Sequence, residues 1–149
     1  EEADPVARAA ILEEHLEVLL GLLSGELVDH AGPHYRIDQV RFHPAPHNPA
    51  GIPIWMAARW PNRAPVRRAA RYDGLFIIQC EKPDQLDEVR RLLEDCGAPE
   101  GFDLVVNGGP DADPQPWAEH GATWWLTQLG PYDLDLDEVR RTVTAGPRR

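Results

Sequence analysis

The sequence predicts an α/β fold, and three observations carry that expectation. Residues 52–78, IPIWMAARWPNRAPVRRAARYDGLFII, read as a strand, a loop, a short helix, an Asp-Gly turn and a second strand. The strand candidates are near-continuous apolar runs, as expected of strands buried on both faces of a parallel sheet. The strand–helix rhythm then continues along the chain, and units of this kind in series build a closed barrel or a broad parallel sheet.

Asp4-Pro5 opens the first helix as an N-cap followed by proline at the first helical position. Leu12, Leu16, Leu19, Leu20 and Leu23 form its apolar stripe, and Gly25 ends it. Residues 26–43 read as a hairpin around Ala31-Gly32-Pro33, and residues 44–53, with four prolines, as a loop. Ile52–Ala57 is expected as a strand, and Asn62–Arg71 as a helix with Val66, Ala69 and Ala70 facing inward. Leu75–Cys80 is the next strand. Pro83-Asp84 caps a helix whose apolar face is Leu86, Val89, Leu92 and Leu93, stopped by Gly97. Phe102–Val106 and Thr123–Leu129 are the third and fourth strands. Asp135 or Asp137 caps a last helix that Gly146-Pro147 ends. The whole, 1–149, is expected as one domain: helix over 1–25, hairpin and loop over 26–51, strand–helix units over 52–149.

Bulk properties exclude several function classes. A chain of 149 residues is long enough to bury a core. No run approaches the roughly 18 apolar residues of a membrane span, and no signal peptide is visible. A net charge of −10 argues against nucleic acid or an anionic membrane as partner. Lys82 is the only lysine among 15 basic residues; arginine suits bidentate contacts to carboxylate or phosphate, and genome composition accounts for the bias equally well. Cys80 and Cys96 are too few for a disulfide framework, which makes a reducing cytoplasm the expected compartment. The chain starts at Glu1 and its only methionine is Met56, which reads as a processing boundary or the tail of something longer.

The stretch ILEEHLEVLLGLLSGELVDHAGPHYRI resembles the helix and hairpin that follow the middle of the barrel in luciferase-like flavin-dependent monooxygenases. IPIWMAARWPNRAPVRRAARYDGLF is similar to that family's next strand, loop, helix and strand. FDLVVNGG, GATWWLTQLGP and LDEVRRTVTAGP look like its last two strands and final helix. The resemblance covers nearly the whole chain, in order. It implies a partial (β/α)8 barrel, with about four parallel strands and the N-terminal half absent, since the complete fold needs roughly 250 residues. PDADPQPWAEH leaves room for about one helical turn where the family has a full helix. A half barrel leaves strand edges unpaired. Self-association as a homodimer, a complementary N-terminal half, or cover by the N-terminal helix and hairpin would each meet that need, and self-association is the expectation.

The resemblance implies an oxidoreductase in which reduced FMN or a deazaflavin coenzyme carries out hydride or oxygen transfer on a small organic substrate, the protein supplying position and a dry pocket. A non-catalytic flavin-binding or dimerising relative, or a fragment needing its other half, is the alternative. Ligands of parallel α/β folds sit at the C-terminal strand ends. The cofactor-binding candidates there are Ala58, Arg59, Trp60, Asn62, Arg63, Asn107, Gly108 and Gln128. Asn62 can cap a helix whose positive end is flanked by Arg59 and Arg63, a seat for a flavin phosphate. The same residues serve equally as a plain cap with solvated or acid-paired arginines. Trp60 offers a stacking surface. The glycines of Asn107-Gly108-Gly109 make a strand-to-loop turn. Trp124 and Trp125 point to opposite faces, where one could line a pocket, and both are expected packed in core.

No catalytic acid, base or nucleophile announces itself. His30, His34, His43 and His47 lie in a hairpin and a loop, where spacing by four does not gather imidazoles, so no metal is expected. Cys80 is expected as a buried structural thiol. Glu119 and His120, adjacent on a helix, diverge.

Overall fold

The computed structural model describes residues 3–48, 51–130 and 135–146, and its contacts divide the chain into two units, Glu1–Ile52 and Pro53–Arg149.

The first unit is helix α1 (Pro5–Leu23) with a hairpin of β1 (Val28–Ala31) and β2 (Arg36–Val40). The Asp4 carboxylate accepts from the N–H groups of Val6 and Ala7, and Gly25 leaves the helix at φ 78°. The turn closes by Gly32 N–H donating to Tyr35 O at 3.0 Å. The stripe foreseen on α1 is only partly the buried one. Leu16 is buried, but Leu12 and Leu20 are exposed, while Glu14, Val18 and Leu22 are buried. Leucines on several sides of α1 blur the periodicity, and the line at four-residue spacing contains a carboxylate that an apolar count passes over.

The second unit is a parallel sheet in the order β3-β4-β5-β6: Trp55–Arg59, Gly74–Ile78, Asp103–Gly108 and Trp124–Thr127. The α/β class and the four-strand parallel sheet, as of a partial TIM-type barrel, are what the sequence led one to expect. Helices α2 (Arg63–Ala69), α3 (Gln85–Asp95), the five-residue α4 (Gln115–Glu119) and α5 (Leu136–Ala145) follow the strands. Pro49, in the proline loop, and Pro147, expected after the last helix, lie outside the described residues.

β3 starts at Trp55 instead of Ile52. Pro53 has no N–H, and Ile54 spends its N–H on the Asp73 carboxylate and its C=O on the Asp73 N–H, at 2.7 and 3.1 Å, so the ladder begins one residue later. Val66 and Ala69 are fully buried and Ala70 nearly so, as are Leu86, Val89 and Leu93 on α3. Asp84 makes no side-chain cap on α3; instead Gln85 Oε1 accepts from the N–H groups of Glu81 and Lys82 at 2.8 and 3.1 Å.

Strand pairing fixes the faces. Met56, Ala58, Leu75, Ile77, Leu104, Val106 and Trp125 share the helix side and build the core, since parallel partners in register point the same way. Trp55, Phe76, Ile78, Val105, Asn107, Trp124 and Leu126 take the opposite face. Burial on both faces, foreseen for all four strands, is approached only in the central pair, where Val105 is buried and Phe76 and Ile78 partly so; among the described residues β3 and β6 are edges. Trp125 packs on the helix side against Trp117, ring centroids 6.4 Å apart. Trp124 is half exposed and leaves the expected core position: its ring lies 5.4 Å from that of Trp55. Both indole N–H groups donate to the Asp103 carboxylate, at 3.1 Å from Trp55 and 2.9 Å from Trp124. The rings of two edge strands meet this way because β4 contributes Gly74, without a side chain, at that level.

Candidate functional site

The C-terminal ends of the four parallel strands carry the candidate residues in two groups. The first belongs to the β3–α2 turn. Arg59 ends β3, and its C=O accepts from Asn62 N–H at 2.8 Å, which turns the chain into α2; the Asn62 carboxamide then accepts from Ala64 N–H. Ala58 is 3% exposed and belongs to the helix-side core. Trp60 is held by its N–H to Ile78 O at 2.9 Å and packs into the same core. Its edge lines a crevice of about 440 Å³ shared with Pro61, Gln79, Glu81 and Gln85. Arg63 forms an ion pair with Glu88 on α3, which binds the two helices together. Of the two arginines foreseen beside the α2 terminus, Arg63 thus has an acid partner. Arg59 is exposed, and among the described residues its guanidinium has none.

The second group joins β5 to β6. Asn107 donates its side-chain N–H to Gln128 Oε1, and Gln128 N–H donates to Gly108 O at 2.7 Å. The amide pair keeps Asn107 Oδ1 as acceptor and the Gln128 amino group as donor. Gly108 is glycine for a steric reason: a Cβ there would lie 2.3 Å from the Trp125 ring. Arg59 is in register with Ile78 and Asn107 with Leu126, so the two groups lie at one end of the sheet, roughly 10 Å apart across two strand spacings. A second pocket, of about 350 Å³, opens at this end between Thr127, Asp111 and the Glu138–Arg141 stretch of α5.

Two features go beyond the residue-by-residue reading: the backbone of Gln79, a residue placed at the strand ends from the sequence, and the partners of Glu14. Gln79 leaves β4 at φ 60°, the left-handed region that non-glycine residues occupy sparingly and often near functional sites. Its sequence signal, a polar residue directly after an apolar strand, is faint. The other is Glu14, in the first unit. It accepts from His30 Nε2 at 3.0 Å, from Tyr35 N–H at 2.8 Å and from His34 N–H at 3.0 Å. Burial by itself would push this carboxyl up; the hydrogen bond from His30, the two N–H groups and the nearby His34 ring outweigh it, and the carboxyl is held below its ordinary value. Tyr35 OH also meets His15 Nδ1 at 3.1 Å. The cluster locks the hairpin onto α1.

The thiol of Cys80, half-buried at the end of β4, is pushed up to about 11 by burial and then by the Asp84 carboxylate, and its S–H faces Lys82 O. Glu119 pairs with Gln115, and His120 Nδ1 meets Asp87 Oδ1 at 3.0 Å, so these neighbours do diverge. Among the described residues no group of three or more His, Cys, Asp or Glu is placed to hold a metal ion, and no helix is long and apolar enough to cross a membrane.

The sequence model of the luciferase-like monooxygenase family matches residues 2–120, most of the chain and three of its four parallel strands. The chain belongs to that family. An uncharacterized protein of Mycobacterium tuberculosis (strain H37Rv) is 34% identical over 103 residues, which cover 66% of this chain and 34% of the relative. An uncharacterized protein of Mycobacterium bovis matches with the same identity and coverage. The matched part of this luciferase-like chain thus spans about a third of the length of these curated relatives.

Proposed function

We propose that this luciferase-like chain supplies one wall of a flavin site in an oxidoreductase, with reduced FMN or a deazaflavin coenzyme as electron carrier and a small organic molecule as substrate. The observation that carries the reading is the polar rim of an otherwise apolar sheet face: Arg59, Asn107 and Gln128, gathered where parallel α/β folds receive ligands. The donor set fits such a coenzyme. Arg59 offers an unpaired cation for a phosphate, and the Asn107–Gln128 pair keeps one acceptor and one donor for the polar edge of a ring system. When bound, the coenzyme supplies the redox chemistry of hydride or oxygen transfer. The chain's own residues bind and orient: Arg59 holds the anionic end, and Asn62 and the Arg63–Glu88 pair fix the loop that carries it.

None of Arg59, Asn107 and Gln128 is a general acid or base at neutral pH. That favours a second reading, in which the chain binds flavin or dimerises without catalysing turnover.

Fluorescence titration with FMN and with riboflavin, which lacks the phosphate, tests the reading. Arg59→Ala should weaken FMN by about tenfold and leave riboflavin unchanged, the pattern of one lost charge-assisted contact. Equal affinities of wild type and variant for FMN would refute the assignment. Flavin-coupled turnover separates the catalytic reading from the non-catalytic one.

A further inference from the structure

We infer that the tip of the β1–β2 hairpin is a latch: the ionised Glu14 carboxylate holds it on α1, and acid frees it while α1 and the β1–β2 ladder stay folded. The hairpin meets α1 in two unlike ways. At its base the contact is apolar, with Val28 so close to α1 that a Cβ on Gly21 would lie 3.3 Å from Val28 Cγ2. The ladder shifts register between Val28 and His30, and beyond that shift residues 31–34 are all exposed.

What holds the tip is polar. Glu14, 9% exposed, takes the N–H groups of His34 and Tyr35 and the His30 ring nitrogen, and the His34 ring stands 4.0 Å from its second oxygen. Tyr35 adds an edge-on ring contact with His15, centroids 5.2 Å apart, beside its hydroxyl contact with His15 Nδ1. The fit is close: a Cβ on Gly32 would collide with the Glu14 carboxylate and the His30 ring.

The chemistry of the carboxyl turns this contact into a switch. Ionised, it accepts from every donor around it; protonated, one oxygen becomes a donor facing N–H groups. The His34 and Tyr35 N–H groups then lose their acceptor, which favours their release to water. His30 and His34 are the titratable groups that face Glu14 from the hairpin, and histidines are as a rule cationic in acid. Opposite charges therefore close the latch, and once Glu14 is neutral two like charges crowd the same spot. Burial works against ionisation of Glu14, but the His30 bond and the two N–H groups outweigh it. The latch thus holds above the ordinary carboxyl value of 4.5 and opens as pH falls through the lower folded one. A contact with this little apolar burial opens locally, without unfolding its surroundings. The latch uses none of the rim residues, so it stands or falls apart from the flavin reading.

Hydrogen exchange reads the latch directly, because the His34 and Tyr35 amides are spent on Glu14. Between about pH 6 and about pH 3 their protection factors, corrected for the intrinsic rate at each pH, should fall by about tenfold or more. Those of α1 and of the β1–β2 ladder should hold. Glu14→Ala and, independently, Gly32→Ala should show the unprotected tip already at about pH 6, with far-UV circular dichroism unchanged. Equal protection of His34 and Tyr35 at the two pH values would overturn the inference. So would a loss that spreads through α1 and the ladder together, since acid would then unfold the unit instead of releasing its tip. Alanine variants whose His34 and Tyr35 amides stay protected as in the wild type would overturn it as well.

Discussion

Replacing Gly74 by alanine adds one methyl group at a point where the sheet has no room for it. A Cβ there would sit 2.6 Å from Trp55 Cδ1, 2.8 Å from the backbone oxygen of Asp103 and 2.9 Å from Asp103 Cβ. The Trp55 ring can swing away, but only by giving up its hydrogen bond to the Asp103 carboxylate and its contact with Trp124. The Asp103 backbone cannot yield without opening the β4–β5 ladder, because Gly74 and Asp103 are paired there. Overpacking of this kind costs about 1–3 kcal/mol, and the better strand propensity of alanine returns roughly 0.5–1 kcal/mol. The midpoints of the two ranges leave a net loss of about 1 kcal/mol, which lowers Tm by about 4–8 °C for a unit of this size. Gly109, at the far end of the sheet, is the control. A Cβ there meets nothing within 4 Å, so Gly109→Ala should be neutral or stabilising by up to about 1 kcal/mol. Thermal unfolding followed by near-ultraviolet circular dichroism reads both effects, since the Trp55–Trp124 pair contributes to that signal. Equal Tm values for the two alanine variants would refute the account of the tryptophan–aspartate bridge.

Three further outcomes follow from the same geometry. The depressed Glu14 carboxyl contributes stability that is present above its ordinary value of 4.5 and is lost as pH falls through its lower folded value. The His34 and Tyr35 amide resonances should therefore shift below pH 4.5 in the wild type and lose that step in Glu14→Gln. At pH 8 about one Cys80 thiol in a thousand is ionised, so iodoacetamide should label the exposed Cys96 well before Cys80, as read by peptide mass spectrometry. Arg63→Ala, which releases Glu88, should shift Tm by a few degrees at most because the pair is half exposed; thermal unfolding checks it.

The legibility of this fold in its sequence varies with the kind of signal each residue sends. Helix α3 was readable because its apolar residues repeat at the helical period and go to one core, and strands β4 and β5 because they are short continuous apolar runs whose Leu75, Ile77, Leu104 and Val106 join that core. Edges were harder. Ile52 and Ile54 look like strand residues, yet a single carboxylate, Asp73, captures the Ile54 backbone from nineteen residues away. Trp124 looked like core because indoles usually are; its exposure follows from β6 being an edge, a fact about neighbours. At the rim, residue type and strand position pointed to Arg59, Asn107 and Gln128 and equally to Ala58 and Trp60, which pack into the helix-side core. That Arg63 would turn to Glu88 required the spacing of α2 against α3. Glu14 was invisible for a related reason, since its donors come from a hairpin twenty residues downstream.

The strand order of the sheet is also its chain order, and this bears on how the protein acquires its structure. Each strand pairs only with the strands immediately before and after it, the crossover being a single short helix each time. Contacts between neighbours close loops of about 19–29 residues, each the span of one helical crossover between parallel strands. The sheet can therefore grow like a zipper from β4 and β5, adding one strand–helix step at a time. The two indoles meeting on Asp103 join its first strand to its last, so that bridge closes at the end of assembly and reports that the register of all four strands is correct.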